Sequence, residues 1–302
     1  MSKFSFLQYS FLVFAGMAGA AFGMSFFVSR AAKNHARAFV LSFFVTVLFV
    51  IDAFLIEPNW IQVTRLEIRD PKLAVSLEGV KIVHITDLHL THGIGFREKR
   101  LIEKVNELKP DLIFITGDFF DDIDQVEPTK ELIQSLSARI GIWGVPGNTD
   151  HISMHASEVV RALEPSGIRI LVNQGQSVYT GVGKYFWLVG VDEPVYHHDK
   201  LGEALYGVPK NEPRLLLAHS PDIMDKASLE GINLVLAGHT HGGQVGIPFL
   251  VELSKYANRA LYMKGLFKKG GTQLYVNRGI GMKTLPIRFL CRPEIAVIEI
   301  GK

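Results

Sequence analysis

The chain has 302 residues, 48% of them hydrophobic, and its 32 Lys and Arg against 30 Asp and Glu leave a formal net charge of +2. Its single cysteine, Cys291, excludes an intrachain disulfide and any cysteine-built metal cluster. No internal repeat or low-complexity tract is present, so the part beyond the apolar amino-terminal segments has the size of one α/β core with insertions.

Residues 4–28 contain no charged side chain, and residues 38–56 contain only Asp52. Each segment reaches the ~20 residues that a membrane-crossing helix requires. Together they predict a transmembrane hairpin over residues 1–57, a catalytic domain over residues 58–302, and an integral protein of the cell membrane. Gly19 and Gly23 form a small-xxx-small pair through which the helices would pack closely. Ala18-Gly19-Ala20 also fits a signal-peptide cleavage site; after such a cut the second segment alone would hold the chain. Asp52 is expected near the membrane boundary, where it stays hydrated. Arg30, Lys33 and Arg37 between the segments are balanced by Lys3, Arg65, Arg69 and Lys72 on the other side, so the positive-inside rule assigns no orientation.

Beyond residue 58, apolar runs at 80–85, 112–116, 140–145, 215–218 and 234–237 read as buried strands. A polar cluster follows each: Asp87-Leu88-His89, Gly117-Asp118, Gly147-Asn148, His219 and Gly238-His239-Thr240-His241. Helical patterns at 96–108, 128–138, 157–163 and 221–229 alternate with the strands and predict a layered, largely parallel sheet. Runs at 177–180, 185–191, 273–276 and 295–300 are expected to supply a second sheet. Ligands bind at the carboxyl ends of strands in such folds. A single Gly-Asp is usually a turn and a single His usually structural. Seven side chains of metal-binding type at successive strand ends point instead to a metal site. Carboxylate and amide oxygens mixed with imidazole nitrogens suit Mn, Fe or Zn, whereas an all-oxygen cage would suit Mg or Ca.

In this order the motifs resemble the calcineurin-like metallophosphoesterases, whose pattern is D-x-H, G-D, G-N-H-[DE], a lone His, then G-H-x-H. The resemblance covers roughly residues 64–300. It implies a four-layer α/β/β/α sandwich and two divalent metal ions. Asp87, His89, Asp118 and His241 would hold one; Asp118, Asn148, His219 and His239 would hold the other, with Asp118 between them. Ions about 3.5–4 Å apart lower the pKa of a shared water and clamp the oxygens of an in-line displacement at phosphorus. One position departs from the pattern. Thr149 stands where the family has a histidine assigned to leaving-group protonation or charge stabilisation, and His151 is the candidate replacement, since an imidazole suits acid work at neutral pH. His84 is expected to be structural, and His92, His155, His197 and His198 to lie on loops or the surface.

From residue 253 to 293 there is no Asp or Glu, while Lys255, Arg259, Lys264, Lys268, Lys269, Arg278, Lys283, Arg288 and Arg292 all occur. Interleaved with Leu261, Tyr262, Met263, Leu266 and Phe267, this block suits an anionic membrane surface or an amphiphilic phosphate. The segments 241–244, 277–279 and 292–295 resemble the bacterial membrane-anchored branch of the family, which includes UDP-diacylglucosamine pyrophosphatases. That resemblance makes Arg278 a candidate phosphate clamp. The combined reading is a membrane-anchored dinuclear phosphoesterase that hydrolyses a phosphodiester or pyrophosphate bond. Its expected partners are membrane lipids and a phosphate-containing small molecule or lipid substrate, with no nucleic acid. The alternatives are a phosphodiesterase with a soluble substrate, a metal-dependent nuclease, and a non-catalytic scaffold on the same fold.

Overall fold

The computed structural model describes residues 23, 35–181, 183–258, 261–283 and 285–302. Apart from Gly23, the first apolar segment lies outside these residues, together with Gly19 of its glycine pair and the alternative cleavage site.

The strands, in chain order, are β1 (Gln62–Arg69), β2 (Ile82–Ile85), β3 (Leu112–Thr116), β4 (Gly141–Val145), β5 (Ile168–Ile170), β6 (Gln174–Gly181), β7 (Lys184–Gly190), β8 (Arg214–Leu217), β9 (Leu234–Ala237), β10 (Gly265–Lys269), β11 (Thr272–Val276) and β12 (Glu294–Gly301). They form two six-stranded sheets, ordered β1-β12-β2-β3-β4-β5 and β10-β11-β9-β8-β7-β6. Strands β2 to β5 run parallel to one another, as do β11, β9, β8 and β7, so each sheet gathers several carboxyl ends at one edge.

The alternation of side chains along each strand explains how the sheets stack. Ile82, Leu112 and Phe114 of the first sheet meet Leu188, Leu215, Leu217 and Leu236 of the second in one buried cluster. Their neighbours Val83, Ile113 and Ile115 turn the other way, onto Leu101, Val105, Leu132 and Leu163 from the helices Phe96–Glu107, Val126–Gln134 and Ala156–Leu163. On the far side, Val189, Leu216 and Val235 pack with Leu201, Met224 and Ala227. Because both faces are covered, β2, β3, β8 and β9 are buried at every position, which is why they read as continuous apolar runs. His84 sits inside this core with Nε2 2.9 Å from Thr116 Oγ1, and burial pushes its pKa down to about 3. It is a structural residue, as expected.

The assignment of strands to sheets needs correction. The five strands that precede the motifs are divided between the sheets, since β8 and β9 lie in the second. The last strand, expected in the second sheet, lies in the first, where Ala296, Val297 and Ile298 pair with His84, Val83 and Ile82. Hydrophobic runs identify strands but carry no record of their partners.

At the amino-terminal side, the helix His35–Ile51 continues through a wider turn at Asp52–Ile56 and a tighter one at Glu57–Asn59. Residues 39–59 are long and apolar enough to cross a membrane and are scarcely covered by protein. One such helix is present among the described residues, so the hairpin itself is not seen. The carboxyl end of this helix is joined to the rest of the chain. Phe49, Ala53 and Phe54 pack with Val245, Leu250, Ile287 and Phe289. Arg288 N donates to Ala53 O at 3.0 Å, and Leu290 N and Cys291 N both donate to the Glu57 carboxylate.

Candidate metal centre

All five motifs emerge from strand carboxyl ends on sharp turns. Asp87, His89, Asp118, His239 and His241 adopt left-handed backbone conformations, with φ between 44° and 70°. Side chains other than glycine enter that region at a cost, and such strain collects at functional sites. Cross-links hold the turns together: Asp87 N donates to Gly117 O and His89 N to Asp118 O, each at 3.0 Å. A side chain at Gly147 would strike Asp118, and one at Gly238 would strike Thr86 and Asp87, so the glycines of the third and fifth loops permit this approach.

The turns bring the seven expected ligands together. Asp118 Oδ2 lies 3.3 Å from His89 Nε2 and 3.5 Å from His219 Nε2, which makes it the atom common to two groups. In the first group His241 Nε2 is 3.2 Å from His89 Nε2 and 3.4 Å from Asp87 Oδ1. In the second, His219 Nε2 is 3.0 Å from Asn148 Oδ1 and 3.1 Å from His239 Nδ1. Asp87 belongs to both neighbourhoods, for its carboxylate also approaches Asp118 and His219 and accepts the His239 backbone N–H. Five of the seven ligands are buried, while Asn148 and His239 are half-buried and open the group to solvent.

The donor set fits divalent ions. Imidazole nitrogens face one another and carboxylate oxygens across 3.0–3.5 Å. That is the spacing of neighbours around a shared ion whose bonds to nitrogen are about 2.0–2.1 Å long. Outer partners aim the rings. His219 Nδ1 donates to Thr116 O at 2.8 Å, which leaves the Nε2 lone pair directed inward. His89 Nδ1 is 2.7 Å from Asp121 Oδ1, with the same consequence. Burial, together with the neighbouring His219, holds His239 down to about 3; burial and His89 hold His241 well below its ordinary value. Both rings are therefore neutral and able to donate a lone pair. Burial opposes ionisation of Asp118, but His219 and His89 outweigh it and hold the carboxyl well below the usual range.

His151, three residues beyond Asn148, is half-buried with Nε2 2.6 Å from Asp192 Oδ1. That hydrogen bond raises its pKa against the opposing effect of burial. His198, expected as a surface residue, is exposed, yet its ring lies 4.8 Å from that of His151. Arg278 is not turned to the metal ligands: its N–H and Nε donate to Glu294 Oε2 at 3.0 and 3.1 Å, and Nη2 reaches Gln62 and Thr64. Sequence reading missed Asp121, Asp192 and Lys283. Lys283 Nζ donates to Thr149 Oγ1 at 2.9 Å and approaches Asp121 Oδ1 at 3.2 Å. Asp121 was open to inference, since it lies three residues beyond Asp118 on the same loop. Lys283 carried no signal apart from the basic block.

A profile of the calcineurin-like phosphoesterases matches residues 80–243, just over half of the chain and every candidate ligand. The chain belongs to this family. Over 249 residues it is 31% identical to the uncharacterized metallophosphoesterase YkuE of Bacillus subtilis, covering 81% of this chain and 87% of that protein. It is 30% identical to the phosphodiesterase YaeI of Escherichia coli, covering 81% and 90% of the two chains. A transmembrane protein with a metallophosphoesterase domain from Danio rerio is 29% identical across 88% of this chain. The match spans 63% of that protein, less than two thirds of its length. As a member of the family, the protein is a metal-dependent hydrolase of phosphate-containing substrates.

Proposed function

We propose that the protein is a membrane-anchored phosphoesterase that uses two divalent ions, of the Mn, Fe or Zn type, to cleave a phosphodiester or pyrophosphate bond in a lipid-linked substrate. The observation that carries this reading is Asp118 Oδ2, set between His89 Nε2 and His219 Nε2 with one ligand group on each side. Asp87, His89, Asp118 and His241 would hold one ion, and Asp118, Asn148, His219 and His239 the other. When bound, such a pair supplies an activated water and Lewis-acid stabilisation of charge at phosphorus. The residues of the chain do the rest. Asp121 and the Thr116 carbonyl fix the His89 and His219 rings, and the Asp87 carboxylate ties down the His239 backbone. His151, whose pKa the hydrogen bond to Asp192 raises, is taken as the proton donor to the departing oxygen. Arg278 holds the last strand through Glu294 and takes no part in gripping phosphate.

We take residues 1–57 as the anchor and 58–302 as the catalytic domain, with the chain integral to the cell membrane. The lipid reading rests on the junction between them. Leu55, Phe249 and Leu290, all exposed, adjoin in sequence Phe54, Leu250 and Phe289 of the apolar contact that joins the helix to the loops after His241. A cavity of about 200 Å³ lined by Asn59, Thr91, His92, Phe96 and Arg97 lies between the end of that helix and the loop after His89. The test is hydrolysis by the detergent-solubilised chain of an acylated nucleotide-sugar pyrophosphate, the same compound without acyl chains, and a simple aryl phosphodiester. Faster cleavage of the acylated compound is expected. Equal rates on the first two would leave a soluble phosphodiester as the substrate.

A further inference from the structure

The position at which the family pattern G-N-H-[DE] places a histidine is filled here by Thr149, and a neighbour from a distant loop completes it. Thr149 N donates to Asp118 Oδ1 at 2.7 Å, and its hydroxyl donates to Asp118 Oδ2 at 2.9 Å. On the other side that hydroxyl accepts from Lys283 Nζ. The ammonium is thus two hydrogen bonds from the carboxylate shared by both ligand groups, and Asp121 ties it to His89 as well. Among the described residues no other Lys or Arg side chain hydrogen-bonds to Asp121, Thr149 or a candidate metal ligand.

The loop that carries Lys283 is built to hold it there. Gln244, three residues beyond His241, accepts from Lys283 N through Oε1 and donates through Nε2 to Leu285 O and Ile287 O. Arg288 is fully buried, with its guanidinium donating to the carbonyls of Arg278, Gly279, Gly281 and Cys291. Other cations of the basic block are committed elsewhere: Arg278 to Glu294, and Arg292 over the Trp60 ring at 3.7 Å. An ammonium has three N–H groups. Two of those on Lys283 are engaged, and the side chain remains about one-third exposed, so the third is free for an incoming ligand.

We propose that Lys283, held by Thr149, is the phosphate-binding cation of this centre and supplies positive charge beside the position where the family pattern has a histidine. Its free N–H donates to a non-bridging phosphoryl oxygen of substrate and product. The inference rests on the phosphoesterase reading above. A charged hydrogen bond to an anion is worth enough to change affinity roughly 10–100-fold.

The experiment is calorimetric titration of the metal-loaded full-length protein in detergent with inorganic phosphate, alongside metal analysis and steady-state kinetics on aryl and alkyl phosphodiesters. Lys283→Met should weaken phosphate binding by roughly 10–100-fold, retain its metal, and lose kcat/KM to a similar degree on both leaving groups. Lys283→Arg should keep most of the affinity, and Thr149→His added to Lys283→Met should recover part of it. Unchanged phosphate affinity in Lys283→Met would overturn the proposal. So would loss of metal together with phosphate, which would make Lys283 a support for Asp121, or Lys283→Arg binding as weakly as Lys283→Met. Failure of the underlying reading is a separate result, namely a wild-type protein that neither binds divalent metal nor hydrolyses either ester.

Discussion

At the level of single residues, the orientation of His89 depends on Asp121, whose carboxylate receives the ring N–H at 2.7 Å. Asp121→Asn keeps the shape and removes the charge that favours this ring orientation. Metal affinity or turnover is expected to fall roughly 10–100-fold, read by metal analysis after dialysis and by aryl phosphodiester hydrolysis. Wild-type values for both would remove Asp121 from the site. His151 gives a different signature. Since an acid matters most where the leaving oxygen is basic, His151→Ala should slow alkyl esters strongly and activated aryl esters little. Equal slowing would reduce His151 to a lining residue. The seven ligands were legible because their side-chain types are characteristic and each follows an apolar run. Lys283 was not, because what defines it is a partner reached across the fold. Arg278 shows the converse: the resemblance of residues 277–279 to the membrane-anchored branch suggested phosphate, while its side chain pairs with Glu294.

Glu294 also gives a pH prediction. Burial alone would raise its pKa, but Arg278 outweighs this and holds the carboxyl below its ordinary value. A lowered carboxyl pKa contributes stability that is present above the unfolded value of about 4.3 and lost as pH falls through the folded one. Glu294→Gln should therefore destabilise the protein at neutral pH and narrow its difference from wild type below about pH 4. A difference that stays constant from pH 7 to about pH 3 would show that the Arg278 pair is not its source.

Among the elements, those most legible were the strands buried on both faces: the runs at 112–116 and 234–237 coincide with β3 and β9. Less legible were β1 and β10, whose exposed and half-buried positions break the apolar signal. Sheet membership was invisible for a related reason. Apolar sequence specifies burial, and β12 is apolar and largely buried like the inner strands of the sheet it was expected to join. The join between the apolar helix and the rest of the chain was also missed, although Glu57 is its anchor and is buried. Hydrogen bonds to a charged group contribute about 1.5–3 kcal/mol, so Glu57→Ala should cost about that much stability in chemical denaturation of the solubilised chain. No measurable change would mean that the helix does not bear on the Leu290 and Cys291 loop.

For the whole molecule, the two sheet edges converge on one centre, and the apolar amino-terminal helix meets the protein through the loop that carries Lys283 and Ile287. Lys264 and Lys268 are exposed, whereas Lys269 is paired with Asp225. Each basic residue near an anionic bilayer contributes about 1 kcal/mol, so changing Lys264 and Lys268 to Glu should slow cleavage of an acylated pyrophosphate in anionic vesicles. Hydrolysis of a small aryl ester should stay near wild type. Equal rates on the vesicle substrate would detach the basic block from lipid recognition. The measurement that bears most directly on the account is the number of divalent ions bound per chain, with aryl phosphodiester hydrolysis, in the wild type and in Asp118→Asn. Two ions and activity in the wild type, with loss of both activity and metal in the variant, is the predicted result. An Asp118→Asn protein that keeps its full metal complement and its activity would contradict a centre built around a shared Asp118 carboxylate.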